Sequence, residues 1–232
     1  ALFFLGEYAA MVSASAVMVT VFLGGWSLPL PWFNGQAMPE AVFGVALPAF
    51  LAGQAPDRGL YLPDRFPRIS LEEIAEFAEL PYREVAFRVL RKFTQDLIPD
   101  TALAAMCNKA YDFGVPLEVI QRGVYLMRLD QGPTASFKDF AAQMMAQMFG
   151  RFLQEDGAQV TILTATSGDT GSAVAHAFHR VPGVRVIVLF PETEISVSQR
   201  KLMTTLKDNI RTVAITGKFD DCQAMVKRAF AD

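Results

Sequence analysis

The chain of 232 residues has room for one large domain or two small ones, and it can bury a sizeable hydrophobic core. Its 21 Lys and Arg are nearly balanced by 24 Asp and Glu, which excludes the strongly basic surface that nucleic-acid binding requires. The two cysteines, Cys107 and Cys222, lie far apart and have no metal-ligand spacing, which argues against a disulfide framework or a zinc site. We therefore expect two reduced thiols in a cytoplasmic protein.

Residues 1–40 form an apolar leader. No charged residue occurs between Tyr8 and Pro39, and the stretch AAMVSASAVMVTVFLGGW, Ala9 to Trp26, is close to the length of a transmembrane helix. Insertion into a membrane and a buried or disordered tail are both open, because glycines and prolines would end the helix early. Residues 1–32 also resemble a membrane segment of the quinone-site subunit of NADH-quinone oxidoreductase. That resemblance implies membrane ancestry but no activity, so we expect a fusion or a join of two unrelated sequences.

Residues 41–113 are predicted to form a helical N-terminal region. The turn-rich stretch APDRGLYLPDRFPRIS leads to Ser70, an N-cap candidate. Glu73 would complete a capping box with Ser70 at the start of the helix LEEIAEFAEL. The segments YREVAFRVLRKF and TALAAMCNKAYDF predict two more helices, because their apolar residues recur at near-helical spacing.

Residues 114–232 alternate between strand and helix patterns. The predicted strands are GVYLMRLD, QVTILTAT, VRVIVLF and IRTVAI, and each is followed by a helical pattern. This alternation predicts an α/β fold in which helices wrap a parallel sheet. In such sheets ligands bind beyond the carboxyl ends of the strands, where loops lead into helix N-termini. We expect two segments to lie at that edge.

The first is the lysine segment QGPTASFKDFAAQ, residues 131–143, in which Lys138 stands at the start of an apolar helix. The positive end of the helix dipole and the neighbouring Phe137 and Phe140 both disfavour the charged form of its amine. A neutral amine is the form that attacks an aldehyde in Schiff-base chemistry. The alternative is a surface lysine that forms a salt bridge with Asp139 or Asp130.

The second is TATSGDTGSAVAHAF, in which an apolar strand runs through the glycine loop, Ser167 to Gly171, into a helix. Backbone N–H groups and the positive end of the helix dipole would converge there on an anion, and Gly168 and Gly171 would let the backbone approach a ligand closely. The hydroxyl donors at this position are Thr166, Ser167 and Thr170. The alternative is an ordinary strand-to-helix turn that Asp169 or Thr170 caps.

Several segments in the same order resemble threonine synthase, a pyridoxal-phosphate enzyme of fold type II, the tryptophan-synthase-β group. They are GPTASFKDFAAQMMAQM, TATSGDTGSAVAHAF, ISVSQRKLMTTLKDNIRTVAITGKFDDCQAMVKRAF and the entry stretch LAGQAPDRGLYLPDRFPRIS. The resemblance runs from about residue 43 to residue 232. It implies conversion of O-phospho-L-homoserine and water to L-threonine and phosphate, with pyridoxal 5'-phosphate as cofactor.

The resemblance also implies roles for individual residues. Lys138 would hold the cofactor covalently and carry protons, and Gly168 and Asp169 would contact the cofactor, with Asp169 near the ring hydroxyl. The residues that would bind substrate are Thr166, Ser167, Thr170 and Gly171. Another enzyme of the same fold type, such as a threonine dehydratase or a cysteine synthase, is an alternative. A non-catalytic, membrane-tethered remnant is the alternative from another class of protein.

Two departures from the family pattern limit what this polypeptide can do. The apolar leader stands where the family has its N-terminal entry strand, and no second glycine-rich loop for the cofactor phosphate is visible in the sequence. Residues 114–232 therefore resemble an incomplete pyridoxal-phosphate domain. We expect the polypeptide as given to bind the cofactor weakly or not at all and to be catalytically inactive.

Overall fold

The structure is a computed structural model, and it describes residues 2–4, 67–94 and 97–231. The N-terminal helical region contains α1 (Leu71–Phe77), α2 (Tyr82–Thr94) and α3 (Asp100–Ala110). The remaining elements, in chain order, are β1 (Leu2–Phe4), β2 (Leu117–Gln121), β3 (Val124–Met127), α4 (Asp139–Asp156), β4 (Val160–Ala165), α5 (Asp169–Phe178), β5 (Val184–Pro191), α6 (Val197–Thr204), β6 (Ile210–Ile215) and α7 (Phe219–Ala231). Most of the predicted leader, residues 5–40, lies outside the described residues.

The helical region begins at the predicted capping box. Ser70 Oγ accepts a hydrogen bond from the Glu73 N–H at 3.2 Å, and Glu73 Oε2 accepts one from the Ser70 N–H at 2.9 Å. This reciprocal pair satisfies two backbone donors that a helix start would otherwise leave without partners. Helix α1 is exposed, whereas α2 and α3 bury residues such as Leu90 and Leu103 in the same core that holds α4.

Strands β2 and β3 form a separate antiparallel hairpin. Val119 pairs with Tyr125 across it, and Gly123 supplies the positive φ of 79° in its turn. The sequence prediction of a strand at GVYLMRLD is confirmed for β3, but its expected place in the parallel sheet is wrong. The prediction missed β2 because Glu118 and Gln121 interrupt its apolar pattern. Both strands are exposed along their whole length, including their large apolar side chains.

The parallel sheet has the strand order β1-β4-β5-β6. The register pairs Ile162 with Val186 between β4 and β5, and Val188 with Thr212 between β5 and β6. At the other edge Leu2–Phe4 forms a strand that pairs in parallel with Thr161–Leu163. Within the part of the chain that the structure describes, no helix combines the length and apolar character that a membrane crossing needs.

Helices cover both faces of the sheet. Ile162, Val186 and Val188 point into the larger core, which contains buried residues of α2 to α5. The alternate residues Leu163 and Leu189 point to the other face, where they meet a smaller cluster that includes Cys222 and Val226 of α7. Two apolar faces require two covering layers, which is typical of parallel sheets. The predicted α/β fold with a parallel sheet wrapped by helices is therefore confirmed.

Candidate functional site

Lys138 is the residue immediately before helix α4. It occupies the N-cap position with φ −68° and ψ −17°, and its side chain is half-buried. The Lys138 Nζ atom lies 5.4 Å from the centroid of the Phe137 ring, close enough for a cation–π contact. No salt bridge to Lys138 is found among the described residues, because Asp139 is engaged by Thr134 and Asp130 by Arg128. The two salt bridges considered from the sequence are therefore not formed.

Asp139 holds the turn that precedes Lys138 through hydrogen bonds. Its side chain is fully buried, and its two oxygens accept hydrogen bonds from the N–H and the hydroxyl of Thr134, each at 2.8 Å. Burial raises the pKa of the Asp139 carboxyl above its ordinary value, and the Thr134 hydrogen bonds oppose this shift. A side chain at Gly132 would bring its Cβ to 2.5 Å from Asp139 Oδ2, so the turn depends on glycine there. Sequence reasoning considered Asp139 only as a partner for the lysine.

The first turn of α4 is anchored to the helical region by aromatic side chains. The Phe140 ring makes edge contacts with Tyr82 and Phe113, whose centroids are 5.3 and 5.2 Å away. The Tyr111 hydroxyl also donates a hydrogen bond to the Phe140 carbonyl oxygen at 3.1 Å. Phe140, which the sequence suggested as an apolar neighbour of the Lys138 amine, packs into this cluster. The cluster holds the start of α4, and with it Lys138, against α2 and α3.

The glycine loop is held by the hydroxyl group of Thr166. Thr166 is fully buried, and its Oγ1 accepts hydrogen bonds from the N–H groups of Gly168 and Gly171, both at 2.9 Å. Backbone N–H groups of the loop were expected to converge on an anion, but the structure uses these two inside the loop. Helix α5 has Gly168 as its N-cap and no side-chain cap, so neither Asp169 nor Thr170 caps it as an ordinary turn would require. The N–H groups of Asp169 and Thr170 have no carbonyl partner within the helix.

Both glycines of the loop are required by their surroundings. Gly168 has φ +143°, which side chains with a Cβ rarely adopt, and a Cβ there would lie 2.4 Å from the Gln199 side chain. At Gly171 a Cβ would lie 2.5 Å from Thr166 Cγ2 and 2.8 Å from Val188 Cγ1. Replacing the hydrogen of either glycine by a methyl group therefore displaces the loop or its neighbours.

The remaining polar groups of the loop differ in their surroundings. Asp169 is exposed, and its Oδ1 accepts a hydrogen bond from Gln199 Nε2 at 2.7 Å. Thr170 is buried, yet its Oγ1 has no hydrogen-bond partner among the described residues. Buried hydroxyl groups are nearly always hydrogen-bonded, so an unpartnered one next to a helix N-terminus indicates a position where a ligand can bind. Ser167 is exposed at the start of the loop.

Chain topology brings Lys138 and the glycine loop to one edge of the sheet. Helix α4 ends in the left-handed Gly157 and is followed closely by β4, so α4 and β4 run in opposite directions. Helix α5 joins the parallel strands β4 and β5, so it too runs against them. With 18 residues, α4 is about 27 Å long, enough to reach the carboxyl end of the six-residue β4. Lys138 and Gly168 thus both precede helices that begin at this edge.

Other candidate residues of the α/β part have structural roles. His176 Nδ1 lies 3.3 Å from Gln143 Nε2, and His179 Nε2 lies 3.2 Å from Asp208 Oδ2. Asp221, the third residue of α7, accepts through Oδ2 a hydrogen bond from the Lys218 N–H at 2.7 Å, as the acidic residue of a capping box does. These residues add nothing to the edge that carries Lys138.

The chain matches two sequence families. A family model described as "Threonine synthase N terminus" matches residues 45–111, and one described as "Pyridoxal-phosphate dependent enzyme" matches residues 113–232. The resemblance to threonine synthase noted from the sequence is confirmed by these matches. The alternatives of a dehydratase or a cysteine synthase are not favoured.

Curated relatives support the same assignment. The chain is 45% identical to a threonine synthase of Haemophilus influenzae over 180 residues, and 44% identical to one of Escherichia coli over 184 residues. These alignments cover 78% and 79% of this chain, but 41% and 42% of the relatives. The chain thus spans about two fifths of the length of the relatives that it matches.

Solved structures also share the fold. The chain superposes on a threonine synthase from Brucella melitensis, determined with bound PLP, with a TM-score of 0.75 and 38% sequence identity, covering 80% of this chain and 41% of that chain. For a threonine synthase from yeast the TM-score is 0.73 and the identity 33%, covering 80% and 40% of the two chains. The match to the second family extends over more than half of the sequence. The chain therefore belongs to the pyridoxal-phosphate dependent enzyme family.

Proposed function

We propose that this chain carries the lysine-bearing part of a threonine synthase, which uses pyridoxal 5'-phosphate to convert O-phospho-L-homoserine and water to L-threonine and phosphate. The observation that carries the proposal is the arrangement at the carboxyl edge of the sheet. There a lysine without a salt-bridge partner and a glycine loop with an unpartnered buried hydroxyl, both among the described residues, precede adjacent helices. The substrate is a small molecule, and we propose a cytoplasmic location.

The residues at this edge fit the cofactor by their chemistry. The cofactor has an aldehyde that an amine can bind, and the amine of Lys138 forms no salt bridge within the described residues. It also has a ring hydroxyl, for which the second oxygen of Asp169 is available, since only Oδ1 accepts a hydrogen bond from a described residue. The Thr170 hydroxyl adds a further donor that lacks a partner in the described part of the chain. When bound, pyridoxal phosphate supplies an electron sink for negative charge on the substrate carbons.

The residues of the chain would have separate roles in proton transfer and in binding the substrate. Lys138 would bind the aldehyde carbon through Nζ, and after the substrate amine displaces it, Nζ would take and return protons at the substrate carbons. The N–H groups of Asp169 and Thr170, at the positive end of the α5 dipole, would orient the substrate carboxylate. Thr166 would act indirectly, because its hydroxyl keeps the loop in shape from inside. Ser167 and Gly171 complete the proposed substrate side of the loop.

Reductive labelling tests the proposal without requiring tight binding. The purified chain is mixed with pyridoxal phosphate, treated with borohydride and digested, and the modified lysines are located by mass spectrometry. We expect the label at Lys138 and its loss in Lys138→Arg, whereas Lys109→Arg, a change at an exposed helical lysine, leaves the Lys138 label unchanged. Labels spread evenly over the surface lysines would refute the proposal.

The same labelling tests the substrate. O-phospho-L-homoserine brings its own amine, so it should compete with Lys138 and lower the yield of label at that residue. L-Threonine, the proposed product, should compete as well. O-acetyl-L-serine, a substrate of the cysteine synthase type, should compete less at the same concentration. If O-acetyl-L-serine were the stronger competitor, the assignment to threonine synthase chemistry would have to be withdrawn.

A further inference from the structure

Gln199 connects the two loops that follow the neighbouring strands β4 and β5. It lies in the first turn of α6, where Ser196 Oγ accepts a hydrogen bond from the Gln199 N–H at 3.2 Å. Its side chain leaves this turn and reaches Asp169 of the glycine loop, with 2.7 Å between Gln199 Nε2 and Asp169 Oδ1. Its carbonyl oxygen also accepts a hydrogen bond from Ser172 Oγ at 3.3 Å. One residue therefore ties the start of α6 to the start of α5.

The surrounding hydrogen bonds determine which way the Gln199 amide points. Gln199 Oε1 accepts a hydrogen bond from the Ser196 N–H at 3.0 Å, and an N–H group can only donate. The amide nitrogen must therefore be the atom that faces Asp169, and it can only donate to Asp169 Oδ1. The contact thus occupies one carboxylate oxygen. For the other, Oδ2, no donor is found in the described part of the chain.

The contact also depends on Gly168. A Cβ at this residue would lie 2.4 to 2.7 Å from the amide atoms of Gln199, so a side chain there would force Gln199 away. Because Gly168 has no side chain, Gln199 can reach Asp169, the next residue of the loop. The half-buried Gln199 thus holds Asp169, which is exposed between the buried residues Gly168 and Thr170.

We propose that Gln199 is a positioning residue that fixes the Asp169 carboxylate through Oδ1 and leaves Oδ2 for the bound cofactor. The inference rests on the proposed function for its ligand, but the contact itself exists without the ligand. A hydrogen bond to a charged group is stronger than one between neutral groups, so its loss should loosen the loop measurably. The loop would then present Asp169 in several orientations instead of one.

Gln199→Glu is the decisive variant. Glutamate has the same length and can still accept a hydrogen bond from the Ser196 N–H, so the capping box is retained. Its second oxygen, however, faces Asp169 Oδ1, and two acceptors repel each other. The double variant Gln199→Glu with Asp169→Asn restores a hydrogen bond with donor and acceptor exchanged. Asp169→Asn alone keeps an oxygen that can accept from Gln199, and Lys201→Gln is a matched control at an exposed residue of the same helix.

Amide hydrogen exchange without cofactor tests the contact. The probes are the N–H groups of Gly168 and Gly171, which are hydrogen-bonded to Thr166 Oγ1. We expect exchange at both to be about tenfold faster in Gln199→Glu, and close to the parent rate in the double variant, in Asp169→Asn and in Lys201→Gln. Unchanged exchange in Gln199→Glu, or no recovery in the double variant, would overturn the inference.

Absorbance titration with pyridoxal phosphate then tests whether the contact between Gln199 and Asp169 strengthens cofactor binding. We expect about tenfold weaker cofactor binding in Gln199→Glu and partial recovery in the double variant. If exchange responds as expected but borohydride labelling of the parent chain shows no preference for Lys138, the contact is supported and the proposed function fails. If the parent chain binds the cofactor and Gln199→Glu binds it equally well, the positioning role is refuted while the proposed function stands.

Discussion

The carboxylate of Asp139 accepts both hydrogen bonds that Thr134 can donate, one from the backbone N–H and one from the hydroxyl, each at 2.8 Å. This pair closes the turn between Gly132 and Lys138 from the inside. Asp139 thus contributes to the site without being a counter-ion for the lysine. The chain places a buried acid directly after Lys138 and keeps the amine of that lysine free of a salt bridge within the described residues.

Asp139→Ala should destabilise the chain by about 3 kcal/mol, because it leaves the buried N–H and hydroxyl of Thr134 without a partner. Thr134→Val removes only the hydroxyl donor and should cost about 1 kcal/mol. Urea unfolding followed by circular dichroism measures both changes. Asp112→Ala, at an exposed acid that has no hydrogen bond or ion pair to another described residue, should stay within about 0.5 kcal/mol of the parent. An Asp139→Ala variant as stable as Asp112→Ala would contradict the role assigned to the pair.

The raised pKa of Asp139 gives stability a characteristic pH dependence. Below the ordinary value of 3.8 the carboxyl is protonated in the folded and the unfolded chain alike. As the pH rises, the unfolded chain loses its proton first, so the free energy of unfolding falls until the folded carboxyl has also ionised. Asp139→Asn removes this contribution. In urea unfolding at a series of pH values, the stability difference, parent minus Asp139→Asn, should fall from pH 3.8 upward and then become constant. A difference that rises with pH would show that the pKa is lowered instead.

Gly171→Ala should destabilise the chain by about 2 kcal/mol through overpacking. The added methyl group would lie 2.5 Å from Thr166 Cγ2 and 2.8 Å from Val188 Cγ1. Val188 is fixed in β5, and Thr166 is fixed by its hydrogen bonds to the glycine loop. Gly114→Ala is the matched control, since no described atom beyond the two adjacent residues lies within 4 Å of a Cβ at that residue. In thermal unfolding, Gly171→Ala should therefore have a lower melting temperature than Gly114→Ala. Equal melting temperatures would mean that the loop can move to fit the methyl group without a measurable loss of stability.

Neither thiol should react in the native chain. Cys107 and Cys222 are free and have exposed fractions of 1% and 0%. Burial raises the pKa of Cys107 to about 12, and it also raises the pKa of Cys222. At pH 8 a thiol with a pKa as high as that of Cys107 has about a thousandfold less thiolate than an ordinary one, and thiolate is the reactive form. Ellman's reagent should detect two thiols in denaturant and none before unfolding. Rapid reaction of the native chain would contradict the buried placement.

The elements of the parallel sheet were predictable because each follows a local pattern. Apolar runs such as VTILTA and VRVIVLF, separated by helical segments, need only their own composition to indicate buried parallel strands. The capping box of Ser70 was visible for the same reason, since its partner Glu73 lies three residues away. Strand β3 was predicted but placed in the wrong sheet, because nothing within a run of apolar residues states which other strand it pairs with.

The candidate site was predictable as two segments but not as a set of contacts. Lys138 and Gly168 could be placed at the starts of helices from the sequence. The S-x-x-Q spacing of Ser196 and Gln199 predicts a capping box, yet it carries no sign that Gln199 also reaches Asp169. The partners in that contact lie 30 residues apart. Pattern reasoning over a few turns cannot detect such a pair.

The sequence by itself determined the alternation of helices and strands from α4 to α7, the lysine before α4 and the glycines at the start of α5, because these follow from local periodicity, capping and backbone freedom. Only the tertiary structure decided that the Thr166 hydroxyl accepts hydrogen bonds from the N–H groups of Gly168 and Gly171, and that Asp139 turns inward to Thr134. The physical reason is that a buried polar group forms a hydrogen bond with the partner that the fold places beside it. Breaking that bond costs free energy, because a buried polar group without a partner is destabilising.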